Sequence, residues 1–237
     1  MTAASSGANS GGVHKPGGEP EADSPSGYYR EEFGRVARFY DLGIRTAFRW
    51  VGGEITFRCM IAELADVQPG NHVLDVSCGT GTLVSLLASC AGPDGRVVGI
   101  DLSGPMLDVA RRKVRARQVE FLLGNAEELP FEDTTFDRVT ISLAIHEMNR
   151  RGRRNALAQM LRVLKPDGLL VVADMRKPDT GLTRLGMRFV RLAETDTLTD
   201  MWQSNLVREI DDAGFIDIRR HLAARGFFEI IVARKDG

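Results

Sequence analysis

At 237 residues, with 43% apolar and 27% charged residues, the chain suits one α/β domain with decoration and a sizeable core. Its formal net charge of −1 gives no overall field toward nucleic acid or an acidic membrane, and no apolar run nears the roughly 20 residues of a membrane span. The three cysteines, Cys59, Cys78 and Cys90, are widely spaced without a CxxC pair, which argues against a zinc site or disulfide framework and for a reduced, cytoplasmic setting.

The first stretch, residues 1–27, is rich in Gly, Ser, Ala and Pro without hydrophobic period and reads as a disordered tail; it has neither a signal-peptide core nor transit-peptide character. Residues 28–66 become helical in pattern. Phe33, Val36, Ala37 and Tyr40 recur at spacings of three and four, as do Ile44, Ala47, Phe48 and Val51; after Gly52-Gly53, the residues Ile55, Cys59, Ile61 and Leu64 carry a further helix. Lying ahead of the first core strand, these helices are expected to form a cap over the ligand side. Tyr40 is either a core aromatic of that cap or part of a substrate pocket.

Residues 67–237 read as the core domain. A strand over Val73–Val76 leads through a Gly-Thr-Gly turn into a helix over Thr82–Cys90, and a second strand runs from Arg96 to Ile100, ending on Asp101. Ser103 caps the next helix, with Pro105 in its first turn and an end near Arg117. Strands over Val119–Leu123 and Arg138–Ser142 follow, then a helix from Arg153 to Leu164 and a strand over Leu169–Ala173. This alternation predicts a doubly wound parallel sheet with helices on both faces. A basic amphipathic helix through Leu182, Leu185, Phe189 and Leu192, one final helix holding Met201, Trp202, Leu206, Val207 and Ile210, and two closing strands over Phe215–Arg220 and Phe227–Ala233 complete the chain. The basic helix leaves peripheral membrane contact open, although a solvated face or a lid is the simpler reading. The arginines of Arg111–Arg117 and Arg150–Arg154 read as solvated helix faces rather than nucleic-acid contacts.

In an open parallel sheet the ligand sits beyond the carboxyl ends of the strands, where the strand order reverses. The segment VLDVSCGTGTL brings a strand-end carboxylate, Asp75, to a loop of Ser77, Cys78, Gly79, Thr80 and Gly81 whose backbone can approach a ligand closely. Asp101, 20 residues past Gly81, is placed to accept hydrogen bonds from ribose hydroxyls. Leu102 and Met106 flank it and can sandwich a purine, and Asn125-Ala126 can read an adenine edge. The third glycine of a dinucleotide fingerprint is missing, and no GxxxxGK[ST] loop appears. A nucleoside with an amino-acid tail rather than a diphosphate fits this set. No spacing calls for a metal. His146 is the histidine placed where chemistry would occur, either as a base or as a wall of the cofactor pocket.

The segments VLDVSCGTGTL, RVVGIDLSGPML, GNAEELPFEDTTFDRVTIS and MLRVLKPDGLLVV, in that order and spacing, resemble the motifs of class I S-adenosylmethionine-dependent methyltransferases, most closely the ubiquinone/menaquinone C-methyltransferases (UbiE-like) and related small-molecule enzymes. The resemblance implies a Rossmann-like, seven-stranded, mostly parallel sheet whose last strand is antiparallel. It further implies that Asp75 and Ser77–Gly81 hold the methionine end of S-adenosylmethionine, Asp101 the ribose, Asn125 and Ala126 the adenine, with Ser142 another cofactor contact. Three departures stand out. Ser77 replaces the usual first glycine, tolerable where its backbone angles are ordinary; Leu143-Ala144-Ile145-His146-Glu147 replaces FG-x-RN; and Ala224–Glu229 lacks the UbiE-like closing pattern. The expected activity is methyl transfer to a small, lipophilic or aromatic acceptor, with His146 and Tyr40 as candidate catalytic residues. A non-catalytic cofactor-binding module and a quinone-specific C-methyltransferase are the alternatives. Oligomeric state is not legible.

Overall fold

The computed structural model describes residues 41–43, 46, 48–49, 52–179 and 196–237. The expectations for the 1–27 tail, for Tyr40 and for the basic helix of 182–192 lie outside the described residues. Of the N-terminal region, residues 41–43, 46 and 48 are helical, and α1 spans Glu54–Leu64. From there β1 (His72–Val76), α2 (Thr82–Ala91), β2 (Arg96–Asp101), α3 (Gly104–Lys113), β3 (Val119–Leu123) and β4 (Phe136–Ser142) alternate. A short 3-10 turn, Ile145–Glu147, precedes α4 (Arg150–Val163) and β5 (Leu164–Met175). The chain closes with α5 (Asp196–Ser204), α6 (Leu206–Asp212), β6 (Phe215–Ala223) and β7 (Phe228–Lys235).

The seven strands form one sheet in the order β3-β2-β1-β4-β5-β7-β6. Neighbours from β3 through β5 are parallel, and β7 runs antiparallel to both β5 and β6. Central strands buried on both faces need side chains that are apolar in near-continuous runs, which β1, β2 and β5 supply. One face packs Leu74, Val76 and Ile141 under Leu157 and Met160 of α4 and Ile210 of α6. The other packs Val73 and Val171 under Phe57 and Ile61 of α1 and Leu83 and Leu87 of α2. Each such side chain contributes about 1.5–3 kcal/mol by leaving water, so the sheet is held from both sides. Register sets Asp75 of β1 opposite Gly99 of β2 and Thr140 of β4. Among the described residues no helix is long and apolar enough to cross a membrane.

Helix ends follow local chemistry. The Ser103 hydroxyl accepts the Met106 N–H at the start of α3, and the Asn149 side chain accepts the Gly152 N–H at the start of α4. Among the boundaries that differ from the sequence reading, three show a physical cause. The helix α3 stops at Lys113 rather than near Arg117, because Val114 turns extended and buries its side chain. Strand pairing of β5 already begins at Leu164, with a bulge against β4 across the Lys-Pro-Asp-Gly turn. The single closing helix is two, broken at Asn205, whose φ of 67° is a conformation asparagine tolerates better than most residues.

That break has a partner. Arg153, read from sequence as part of a solvated arginine face, is 0% exposed. Its guanidinium donates to both Glu209 carboxylate oxygens (2.7 and 2.8 Å), to Asp200 (2.8 Å), to Ser204 and to the Met148 carbonyl (2.9 Å). Asp200 lies on α5 and Glu209 on α6, so the arginine gathers both helices onto α4.

Candidate active site

The site lies at the carboxyl ends of β1, β2, β4 and β5, where the chain leaves β1 toward one side of the sheet and returns through β4 to the other. After β1 the backbone takes left-handed turns at Ser77 (φ 55°), Gly79 (φ 54°) and Gly81 (φ 75°). Ser77 therefore does not have ordinary backbone angles, contrary to the expectation for a serine at this position. An L residue in that region carries roughly 1–2 kcal/mol of strain, and small polar residues bear it best. Gly81 is required twice over, since its φ is positive and an added Cβ would sit 3.0 Å from the Phe121 ring. Cys78 tucks its sulfur inward; a Cβ at Gly99 would lie 2.8 Å from that Sγ. The Thr80 hydroxyl donates to Asp41 (2.5 Å), which also receives Lys113 (2.6 Å). Asp41 belongs to the N-terminal region, so that region is fastened to the loop from outside.

Asp101 ends β2 with one carboxylate oxygen accepting the Gly79 N–H and the other the Ser103 N–H, each at 2.8 Å. Each oxygen keeps a lone pair for a further donor. Burial pushes its pKa up, against the lowering effect of those amides. A narrow cavity beside it is lined by Ser77, Ile100, Leu102, Gly124, Asn125, Ala126, Ala144, Glu147 and Met148. The apolar walls and the amide of Asn125 suit a flat base, and Asp101 lies between the lining residues Ile100 and Leu102. The structure thus brings together Ser77, Asp101, Leu102, Asn125 and Ala126. Met106 is buried in the neighbouring core and does not line this cavity.

Asp75 and Ser142 sit deeper. Asp75 is 1% exposed and accepts the Thr140 hydroxyl at 2.7 Å; burial raises its pKa to about 7, against the pull of that bond and of Arg58. Ser142, at the end of β4, accepts a hydrogen bond from Arg58 Nη1 at 2.5 Å. Arg58 was not anticipated as a site residue. Its signal was a charge placed between Phe57 and Ile61 on the buried face of α1, the face that leaves Ile55 and Cys59 exposed.

His146 stands in the 3-10 turn after β4. Its Nδ1 lies 2.6 Å from Oδ1 of Asp174, and its backbone N–H donates to the other oxygen at 3.2 Å. Asp174, near the end of β5, is 1% exposed. On the far side of the ring Nε2 is 3.9 Å from Glu147. Burial alone would lower the imidazole pKa, but the Asp174 charge and hydrogen bond, with Glu147, raise it on balance. Burial, with the Asp174 and Asp101 charges, lifts Glu147 to about 7 against the pull of His146. Leu143, just ahead, is itself left-handed (φ 56°), anchored by its N–H to the Ala173 carbonyl. A second, wider cleft of about 420 Å³ lies past the end of β5 among Arg176, Lys177, Trp202, Asn205, Arg220 and Glu229 and shares no residue with the first. Its arginines are spent on Asp179 and Glu229.

A seven-stranded sheet with one antiparallel strand, a glycine loop after β1, a carboxylate ending β2 and an amide after β3 define a nucleoside-binding α/β protein of the methyltransferase type. The comparisons with known proteins agree. The family model described as the ubiE/COQ5 methyltransferase family matches residues 30–189, and the chain belongs to that family. It is 39% identical over 173 residues to a demethylmenaquinone methyltransferase of Symbiobacterium thermophilum, covering 70% of this chain and 66% of the relative, just under two thirds of that protein's length. It is 36% identical over 196 residues to a methyltransferase of Synechocystis, covering 82% of this chain and 90% of the relative. Among solved structures, a phosphoethanolamine N-methyltransferase of Haemonchus contortus in complex with S-adenosyl-L-methionine shares the fold, with a TM-score of 0.66 at 20% identity over 88% of this chain and 60% of that one. S-adenosylmethionine is the cofactor that this family membership carries, and the residues around Asp101 and Asn125 fit its nucleoside.

Proposed function

We propose that the chain transfers the methyl group of S-adenosylmethionine to a small, lipophilic or aromatic acceptor that gives up a proton, with His146 as the base. The observation that carries this reading is the 2.6 Å contact between His146 Nδ1 and Asp174 at the carboxyl ends of β4 and β5. When bound, the cofactor supplies an electrophilic methyl on a sulfonium. The protein's own work is to align an acceptor with that methyl, exclude water and receive the proton. Asp174 holds the Nδ1 proton, which fixes the tautomer and leaves the Nε2 lone pair as the acceptor of a proton. The strained backbone at Leu143 keeps the turn carrying His146 close to β5.

Demethylmenaquinone, in the name of one relative, gives the first acceptor to try, in its reduced, electron-rich quinol form; ring C-methylation releases a ring proton, which Nε2 would take. The replacement of FG-x-RN by Leu143–Glu147 weighs against quinones and favours a screen that extends to phenols and lipids. The test begins with calorimetric titration by S-adenosylhomocysteine, comparing wild type with Asp101→Ala. Binding that the variant loses supports the reading, and a well-folded wild type that binds nothing sinks it. With an acceptor in hand, His146→Gln should lower kcat by about 10²–10⁴ while keeping affinity for S-adenosylhomocysteine. Unchanged kcat would remove His146 from the chemistry.

A further inference from the structure

We infer that Arg58 is the receptor for the carboxylate of the cofactor's methionine end, opposite Asp75 as receptor for its ammonium. The inference rests on the proposed cofactor reading and goes further, to Arg58, which lies outside the motifs.

Arg58 is only 7% exposed, on a helix face it shares with Phe57, Ile61, Ala62 and the equally buried Glu54. Among the described residues its guanidinium makes one hydrogen bond, to Ser142, and its Nε is buried without a hydrogen-bond partner. The carboxylate of Glu54, one turn back, is 3.7 Å from that Nε, an ion pair without a hydrogen bond. A guanidinium presents five N–H donors in a planar fork. The cost of taking such a charge out of water is returned only in part by one hydroxyl and an ion pair that lacks a hydrogen bond. A bidentate carboxylate returns more, and the position is right for one. Arg58 reaches the end of β4 through Ser142, Asp75 lies on the adjacent β1, and the loop from Ser77 to Gly81 follows that strand. Arg58 and Asp75 present one cation and one carboxylate at this junction, matching the two charges of an α-amino acid, while the third buried charge, Glu54, lies one turn back on α1. The raised pKa of Asp75 agrees, since a ligand ammonium would add to the counter-charge of Arg58, which does not offset burial.

The alternative is that Arg58 merely pins α1 to β4. Calorimetric titration of the full chain with S-adenosylhomocysteine and with its decarboxylated analogue, which keeps the nucleoside, thioether and amine, separates the two. Wild type should prefer S-adenosylhomocysteine by about tenfold or more, the scale of a charge-assisted pair. In Arg58→Met that preference should collapse toward one, through loss of affinity for S-adenosylhomocysteine alone. Arg58→Lys, which keeps the charge and serves if the methionine variant does not fold, should retain a reduced preference. A wild type indifferent to the carboxylate overturns the inference without any variant. So does a preference that survives in Arg58→Met, is undiminished in Arg58→Lys, or vanishes only because both ligands weaken equally. A wild type that binds neither compound fails earlier, at the cofactor reading itself.

Discussion

Two opposing influences act on the His146 ring: burial favours the neutral imidazole, and the Asp174 carboxylate favours the charged one and wins. A base works deprotonated, so activity should rise with pH through the His146 pKa. Asp174→Asn removes the charge while keeping the shape; burial then dominates, and the rising limb of the kcat/KM profile should move to lower pH. The variant should also lose about 10- to 100-fold in kcat, because the wrong amide rotamer releases the tautomer. Glu147 titrates nearby at about 7, so the profile reports the pair rather than one residue, and Glu147→Gln should sharpen it. A limb that does not move in Asp174→Asn would show that His146 does not carry the proton. At Ser77 the strain is in the backbone: Ser77→Gly should raise the melting temperature and Ser77→Val lower it, because β-branching is worst at positive φ. His146 was legible from its place after a strand, whereas the left-handed angle of Ser77 was not, since nothing in a serine announces its φ.

Among elements, the glycine loop depends on a neighbour in a different strand. Gly99 leaves room in β2 for the Cys78 sulfur and the Phe121 ring, which an added Cβ would approach to 2.8 and 2.9 Å. Gly99→Ala should destabilise by about 1–3 kcal/mol in urea unfolding and weaken S-adenosylhomocysteine binding, since the displaced side chain belongs to the loop. Retained affinity would mean that the loop is indifferent to its floor. The pair α5–α6 depends instead on Arg153. Arg153→Leu should cost about 3–5 kcal/mol by leaving Glu209 without its partner, and Arg153→Leu with Glu209→Leu should recover much of it. Unfolding curves of the single and double variants decide. Periodicity and caps revealed where most helices and strands lie, because Ser103, Pro105 and the Gly-rich turns act locally. The break at Asn205 and the burial of Arg153 were hidden for the converse reason: they are settled by side chains some 50 residues apart, and an arginine in a basic run looks the same whether solvated or enclosed.

Across the whole molecule, alternating pattern alone led to a parallel sheet, while the count of seven strands and the antiparallel last one came with the family resemblance. The strand order itself, with β1 beside β4, is a long-range outcome that no local run encodes. It has a pH signature. Asp75 and Glu147 both hold protons more tightly when folded, at about 7, than as free carboxyls. Their contribution to stability is complete below the unfolded values near 4 and disappears as pH rises through 7. Ligand-free protein should therefore melt at a falling temperature between pH 5 and 7.5, with a shallower fall in Asp75→Asn; identical slopes would exclude Asp75 as a source. The interleaving also means that Arg58, Asp75, Asp101, Asn125, Ser142, His146 and Asp174 meet only after strands distant in sequence have been zipped side by side. Occupancy and foldedness are then one quantity viewed from two ends: a hundredfold excess of ligand over its Kd should add about 2.7 kcal/mol to the global free energy. In a cell, where proteases harvest whatever opens, a shortage of the methyl donor should shorten the lifetime of this protein.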